Sequence, residues 1–166
     1  MEKVRKLTQT ALLIGLTIII PILMPKIQLG EAFTMTPASH VPMFLSMFLG
    51  PAASAMVGIG STIGFQMSGT PFPVVARAST HILVGLLGAQ LLKKDVSYVK
   101  VALITAPLHG LAEALVIIPL LGFNANSYIV AVGTMFHHCV DVIIAYPVVK
   151  ALAKTGRKEF VLNKVI

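Results

Sequence analysis

The sequence predicts an all-α integral membrane protein with six transmembrane helices, and three observations carry this prediction. Of the 166 residues, 56% are hydrophobic and only 11% are charged, a composition typical of membrane proteins. The mean hydropathy is +0.88. Turns of proline, glycine and charged residues separate the apolar runs. The predicted spans, within one domain covering 1–166, are 7–24, 39–50, 51–67, 74–92, 99–121 and 128–152.

The first three spans are separated by a polar loop and a tight turn. The basic stretch MEKVRK precedes the first apolar run, LTQTALLIGLTIIIPILM. The segment PKIQLGEAFTMTPA at 25–38 is polar and begins with a proline, so we interpret it as a loop able to fold over a site. Gly50 and Pro51 form the turn before the third span, whose many small residues indicate close packing against other helices.

The last three spans carry most of the polar residues. The fourth lies within PFPVVARASTHILVGLLGAQLL and ends at the charged turn that contains Lys93 and Lys94. The fifth contains HGLAE between two prolines, and the sixth contains HHCVD. These runs are long enough to cross a bilayer, whose hydrocarbon core needs about 20 apolar residues. The second and third spans are shorter, which is acceptable inside a compact bundle with local thinning of the bilayer.

The basic residues predict the orientation of the chain. Six spans place both termini on one side, and 11 of the 13 lysine and arginine residues fall on that side. Because cytoplasmic loops carry an excess of these residues, both termini are predicted to be cytoplasmic. The loops 25–38, 68–73 and 122–127 are then external. The 11 residues are Lys3, Arg5, Lys6, Lys93, Lys94, Lys100, Lys150, Lys154, Arg157, Lys158 and Lys164.

Arg77 is the costliest residue within the predicted spans. An arginine in the hydrocarbon costs about 2.5–3.5 kcal/mol on insertion scales, so it is retained where it faces protein or water. His81, at i+4, lies on the same helix face. A guanidinium can bind a carboxylate through two parallel hydrogen bonds, which favours a recess for an anionic ligand. The alternatives are that Arg77 reaches the headgroup region or pairs permanently with Glu113 or Asp141.

All five histidines fall within the predicted spans. His109 and Glu113 are i and i+4 on the fifth span, and His137 and Asp141 repeat this spacing on the sixth. These four lie deeper than Arg77, so some of them are candidates for a structural charge network. We predict a polar pocket between helices that opens outward. The expected substrate-binding residues are Arg77, His81, His40, Gln66, Asn126, Glu113, His137, His138 and Asp141.

The residues argue against an enzyme and leave two classes of transporter. No serine in a glycine-rich turn has a convincing histidine partner, and HGLAE lacks the HExxH spacing of a zinc hydrolase. The single cysteine, Cys139, excludes an internal disulfide and a multi-cysteine metal cluster. Imidazole and carboxylate ligands suit a divalent metal, but the charge of Arg77 would repel a cation. A small organic anion accommodates both the arginine and the histidines.

The order of these segments resembles a known family. The resemblance is to the S components, the substrate-binding subunits of energy-coupling-factor (ECF) vitamin transporters, and it covers nearly the whole chain. It rests on the basic N-terminus, the ALLIG run ending in a proline, six short spans, the polar first external loop and SHVPMFLSMFLGP. Within the family, the niacin-specific members are the most similar, on the segments PASHVPMFLSMFLGP, GSTIGFQMSGTPFPVVARASTH and MFHHCVD.

The resemblance implies a six-helix fold with a pocket near the external face, closed by the first and third external loops. It implies a prokaryotic, multi-pass protein of the cell membrane that assembles with an EcfT-type membrane coupling protein and two ABC ATPases. Those ATPases use the ATP, because this chain has no GxxxxGK[ST] phosphate loop. Family members dock the coupling protein on an AxxxA motif of the first helix. Here Ala11 matches, and Gly15 replaces the second alanine while still permitting close approach.

The expected function is the capture of a small carboxylated vitamin, niacin first, for delivery through the coupling module. Nicotinate is a small planar anion, so Arg77 can bind its carboxylate while His81 or His40 meets the ring nitrogen or the second oxygen. Pantothenate or another vitamin is the first alternative, and nickel or cobalt is the second. We expect no catalytic residue and no cofactor or metal on this chain. The net charge of +7 is explained by topology, so no nucleic-acid partner is expected.

Overall fold

The computed structural model describes residues 1–29, 32–157, 159 and 160, and helices dominate that part of the chain. In chain order its elements are α1 (Glu2–Leu23), β1 (Ile27–Leu29), β2 (Phe33–Met35), α2 (Val41–Leu49), α3 (Pro51–Met67), α4 (Phe72–Ser79), α5 (His81–Lys93), α6 (Tyr98–Leu121) and α7 (Ala125–Lys154). α1 begins five residues before the predicted span and α7 extends the sixth span at both ends, since polar residues continue a helix beyond its apolar part.

Four helical stretches in the described residues are long and apolar enough to cross a membrane. They are α1, α4 together with α5, α6 and α7. α2 has 9 residues, so it is about 14 Å long against a hydrocarbon core of about 30 Å. α3 has 17 residues and is about 26 Å long. The chain is a helical membrane protein with four candidate crossings of full length, and the predicted count of six stays a prediction.

The segment 25–38 is more than the loop that the sequence predicts, and the fold is therefore not entirely helical. β1 pairs antiparallel with β2, with Ile27 opposite Met35 and Leu29 opposite Phe33. All three residues of β1 are exposed, whereas Phe33 in β2 is buried. β2 packs against α6 and α7 at Ile117 and its neighbours. A hairpin of three-residue strands is marginally stable alone. Here the packing of its apolar face against helices provides the missing stability.

The predicted fourth span, 74–92, is divided at Thr80. α4 ends at Ser79 and α5 begins at His81, while Thr80 keeps helical backbone angles of φ −67° and ψ −18°. The Thr80 hydroxyl donates a hydrogen bond to the carbonyl oxygen of Arg77 at 2.8 Å. Such back-bonding competes with the helix ladder and often bends a helix. Arg77 and His81 therefore lie on either side of a local irregularity rather than on one regular helix.

Glycines permit the closest helix packing. A Cβ on Gly58 of α3 would lie 2.7 Å from the backbone nitrogen of Ile82 in α5. A Cβ on Gly64 would lie 2.7 Å from the Cα of Ile18 in α1. Backbone therefore meets backbone on both sides of α3, which is the packing that small residues favour in membranes.

The start of α1 and residues 159 and 160 meet at one end of the bundle. Arg5 in α1 forms an ion pair with Glu159 at 2.7 Å. The ring of Phe160 stacks on Phe48 of α2, with the ring centroids 4.9 Å apart. Lys158 and Lys164, which belong to the predicted cytoplasmic set, lie outside the described residues.

Candidate substrate-binding site

Eight buried charged and histidine side chains converge in one cluster beside the hairpin. None of its members is more than 4% exposed. The sequence predicts an outward-opening pocket here, whereas the structure encloses these side chains, because they pair with one another and with hairpin backbone. We call this group the polar cluster. It comprises Arg77, Glu113, Asp141, His40, His81, His109, His137 and His138.

Arg77 pairs with Glu113 at the centre of the polar cluster. Its Nε donates to Glu113 Oε2 at 2.8 Å, and its Nη2 lies 2.7 Å from the same oxygen. The Thr134 hydroxyl also donates to that carboxylate. The third nitrogen, Nη1, donates to the carbonyl oxygen of Ala32 in the hairpin at 2.7 Å. Of the alternatives that the sequence leaves open, pairing with Glu113 is the one observed, and either charge alone would be costly to bury.

Asp141 ties the turn before α2 to α7. Its Oδ1 accepts a hydrogen bond from the backbone N–H of Ala38 at 2.7 Å, and its Oδ2 accepts one from the backbone N–H of His40 at 3.0 Å. Oδ2 also lies 2.9 Å from His40 Nδ1 and 3.2 Å from His137 Nε2. Ala38 has φ +68°, which is unfavourable for a residue with a Cβ. The bond to Asp141 helps to hold that conformation.

Three imidazoles turn their Nε2 atoms toward the same region. His40 Nε2 and His81 Nε2 are 3.1 Å apart. Glu113 Oε1 lies 3.2 Å from His109 Nε2 and 3.8 Å from His81 Nε2. The three Nδ1 atoms face outer partners, which are Asp141 for His40, Ser61 for His81 and His138 for His109.

The hairpin and the turn that follows it cover the polar cluster with backbone and one aromatic ring. The carbonyl oxygen of Thr36 lies 3.1 Å from His137 Nε2. The Phe33 ring centroid lies 5.0 Å from the guanidinium carbon of Arg77, within cation–π range. The same ring packs on Gly133 of α7, where a Cβ would approach to 2.7 Å. This segment therefore covers both Arg77 and His137.

A comparison of the whole chain with known proteins decides its family. The chain is 36% identical to the niacin transporter NiaX of Lactococcus lactis subsp. cremoris (strain MG1363), over 92% of this chain and 76% of that protein. The chain belongs to the NiaX family. The predicted resemblance to ECF S components, and among them to the niacin-specific members, is confirmed. No protein-family model and no solved structure matches the chain.

Most binding residues predicted for this NiaX-family chain lie in the polar cluster, but two do not. Gln66 is exposed in the last turn of α3. Asn126 lies in the first turn of α7, where its backbone N–H bonds to the side chain of Asn124 at 2.8 Å. The residues brought together are Arg77, His81, His40, Glu113, His137, His138 and Asp141.

Sequence reasoning left out several groups that the NiaX-family fold adds to the site. His109 was recognised as the i−4 neighbour of Glu113, and that spacing was the signal that could have assigned it. Thr134 bonds to Glu113, and it precedes His138 on the same face of α7 by four residues. The carbonyl groups of Ala32 and Thr36 carry no signal in the sequence, since every residue has one.

Proposed function

We propose that this chain is the substrate-binding subunit of an ECF-type importer that captures niacin outside the cell. The observation that carries the proposal is the 36% identity to a niacin transporter over 92% of the chain. The vitamin passes inward through a shared module made of an EcfT-type coupling protein and two ABC ATPases. The ATPases use the ATP, and this chain catalyses no reaction.

We place the chain in a prokaryotic plasma membrane as a six-span protein with both termini in the cytoplasm. The ion pair between Arg5 and Glu159 supports placing the termini on one side. The short α2 is extended by the turn at 36–40, whose N–H groups bond to Asp141. Irregular backbone is tolerated at membrane depth where protein encloses it, so this turn and α2 together serve as one crossing.

The nicotinate carboxylate is proposed to bind Arg77 through Nη1. Nε and Nη2 pair with Glu113, so Nη1 is the nitrogen whose partner can be exchanged without separating the two buried charges. Its present partner is the hairpin carbonyl of Ala32, which a carboxylate would replace with a stronger, charge-assisted bond. Capture of the substrate then requires the hairpin to move away from Arg77, and His40 and His81 lie beside the space that opens.

Calorimetric titration of the purified chain in detergent tests the substrate. Nicotinate is expected to bind at least about tenfold tighter than nicotinamide, because the amide lacks the charge that a guanidinium recognises. Pantothenate is the third ligand. Lys26→Ala is the control, since it removes a basic residue that bonds to Ser68 on the predicted external side and should leave the nicotinate affinity unchanged. If only pantothenate binds, pantothenate rather than niacin is the substrate. If none of the three ligands binds, the proposal is refuted.

Docking of the coupling protein is proposed at Ala11 and Gly15 on α1. Ala11 is exposed, and a Cβ on Gly15 would meet no atom of the described residues within 4 Å. Ala11→Leu and Gly15→Leu are therefore expected to preserve the fold and nicotinate binding but to abolish co-purification with the coupling module, because a partner helix could no longer approach closely. Ala151→Leu, which enlarges an exposed residue of α7, is the matched control. Normal assembly of both α1 variants would exclude this face.

A further inference from the structure

Four residues of the polar cluster direct ligand atoms at one point. One nitrogen or oxygen from each of His40, His81, His109 and Glu113 lies within 4.8 Å of the others. The closest separations are 3.1 Å between His40 Nε2 and His81 Nε2, and 3.2 Å between His109 Nε2 and Glu113 Oε1. A tetrahedral ion with bonds of about 2.0–2.1 Å holds its ligand atoms about 3.3–3.4 Å apart. Two of the separations are close to that spacing, while His81 Nε2 and Glu113 Oε1 are 3.8 Å apart, so a bound ion would draw the four side chains slightly together.

The hydrogen on His109 can be placed from its neighbours. His138 Nε2 lies 3.1 Å from the carbonyl oxygen of Ala102 and 3.3 Å from the Thr105 hydroxyl, whose hydrogen is donated to Val101 at 2.8 Å. A carbonyl only accepts, so this nitrogen carries the hydrogen. In neutral His138 the other nitrogen, Nδ1, is then an acceptor. It lies 3.1 Å from His109 Nδ1, which must be the donor. A neutral His109 therefore has a lone pair on Nε2.

That nitrogen lies close to a carboxylate oxygen. His109 Nε2 is buried and has no hydrogen-bond partner among the described residues, although Glu113 Oε1 is only 3.2 Å away. Two electron-rich atoms at this distance repel each other unless a cation lies between them. Hydrogen bonding accounts for His40 and His81, because His81 Nε2 can donate to His40 Nε2. It does not account for His109 Nε2 and Glu113 Oε1, which would be two acceptors side by side.

The geometry points to a divalent transition-metal ion bound by Nε2 of His40, His81 and His109 and by Oε1 of Glu113. Imidazole nitrogen with one carboxylate suits zinc, nickel or cobalt. Four protein ligands leave no open position, which is the pattern of a structural site. The ion would join the start of α2 and α5 to the middle of α6.

The surroundings of the four ligands support the assignment. Metal-bound histidines usually donate their other ring N–H to a carboxylate or another polar group, which fixes the tautomer. Here the other ring nitrogens of His81 and His109 lie 2.7 Å from Ser61 and 3.1 Å from His138, and His40 Nδ1 lies within ion-pair distance of Asp141, at 2.9 Å, without hydrogen-bond geometry. Arg77 holds the other oxygen, Oε2, of Glu113. Each ligand is therefore oriented by a second group.

A second set, formed by His40, His137 and Asp141, is less suited to a metal. His137 Nε2 lies 3.1 Å from the carbonyl oxygen of Thr36, so it carries a hydrogen and has no lone pair to offer. This contrast makes His137 a useful control residue.

The charge of Arg77 does not exclude the ion, because Glu113 offsets it at 2.7 Å. With neutral imidazoles, one guanidinium against two carboxylates gives the polar cluster a net charge of −1, which disfavours an anion. A divalent ion changes the net charge to +1. For this point alone the inference rests on the proposed function, since a site for nicotinate needs positive charge.

Metal analysis of the full chain, purified with a tag that contains no histidine, tests the site. After treatment with a chelator, titration with Zn²⁺ is expected to give one ion per chain, and Co²⁺ the visible absorption of a tetrahedral complex. His109→Gln should weaken Zn²⁺ binding by more than about 100-fold, because losing even an outer partner costs about 10–100-fold. His137→Gln should leave the stoichiometry at one, and circular dichroism checks that both variants fold.

Three outcomes would overturn the inference. They are the absence of stoichiometric Zn²⁺ binding, retention of full affinity in His109→Gln, and loss of the ion in His137→Gln but not in His109→Gln. Nicotinate titration of the metal-free and metal-loaded chain separates the two proposals. Nicotinate binding without any metal binding would refute only the metal site. Metal binding without nicotinate binding would refute only the proposed substrate.

Discussion

Replacing Arg77 with alanine is expected to destabilise the fold by about 3–5 kcal/mol, the cost of removing one partner of a buried ion pair. The change leaves Glu113 buried and unpaired, and it removes the donor to the carbonyl of Ala32 in the hairpin. The measurement is the thermal unfolding midpoint of the metal-free chain in detergent. A midpoint equal to that of the unchanged chain would show that the ion pair between Arg77 and Glu113 does not stabilise the fold.

A double variant separates stability from substrate binding. Arg77→Met combined with Glu113→Gln removes both buried charges, so it is expected to recover most of the lost stability. Nicotinate binding should stay lost in the double variant, because the guanidinium that receives the carboxylate is absent. A double variant that binds nicotinate normally would exclude Arg77 from the substrate site while leaving its structural role intact.

Asp141→Ala is expected to release the turn between the hairpin and α2. Two buried N–H groups, those of Ala38 and His40, would lose their acceptor. At about 1–3 kcal/mol for each unsatisfied group, the expected loss of stability is about 2–6 kcal/mol. The thermal midpoint should fall, and backbone hydrogen exchange should increase at residues 38–41 before it increases in α6.

Ile143→Ala is the control for Asp141→Ala. Ile143 lies on the same helix, α7, and is 72% exposed, so its truncation removes little packing. The thermal midpoint of this variant should therefore be unchanged. Exchange at residues 38–41 that is as slow in Asp141→Ala as in the unchanged chain would show that other contacts hold the turn.

The gathering of polar residues could be predicted from the sequence, but their pairing could not. The free-energy cost of a charge inside a membrane singles out Arg77. The i+4 spacing relates His109 to Glu113 and His137 to Asp141. Whether Arg77 meets a ligand or Glu113 depends on the rotation of α4 against α6, which no local pattern encodes. Pairing with Glu113 and binding of a ligand are compatible, because the ion pair leaves Nη1 of Arg77 directed at the hairpin.

The differences between the predicted and the observed arrangement have a geometric cause. Gln66 lies in the last turn of α3, but neighbouring residues of a helix point about 100° apart, and it is Phe65 that is buried. The hairpin was missed because strands of three residues have too short a pattern to distinguish from a polar loop. Its pairing depends on Phe33 finding Gly133, which lies 100 positions further along the chain.

The pairing of distant residues also constrains how the protein is made. Arg77 precedes Glu113 by 36 residues, so at about 5–20 residues per second the ribosome adds the acid about 2–7 s after the base. During that interval α4 carries an uncompensated charge, which opposes its release into lipid on its own. We therefore expect α4 and α5 to enter the bilayer together with α6, which carries the carboxylate that neutralises Arg77.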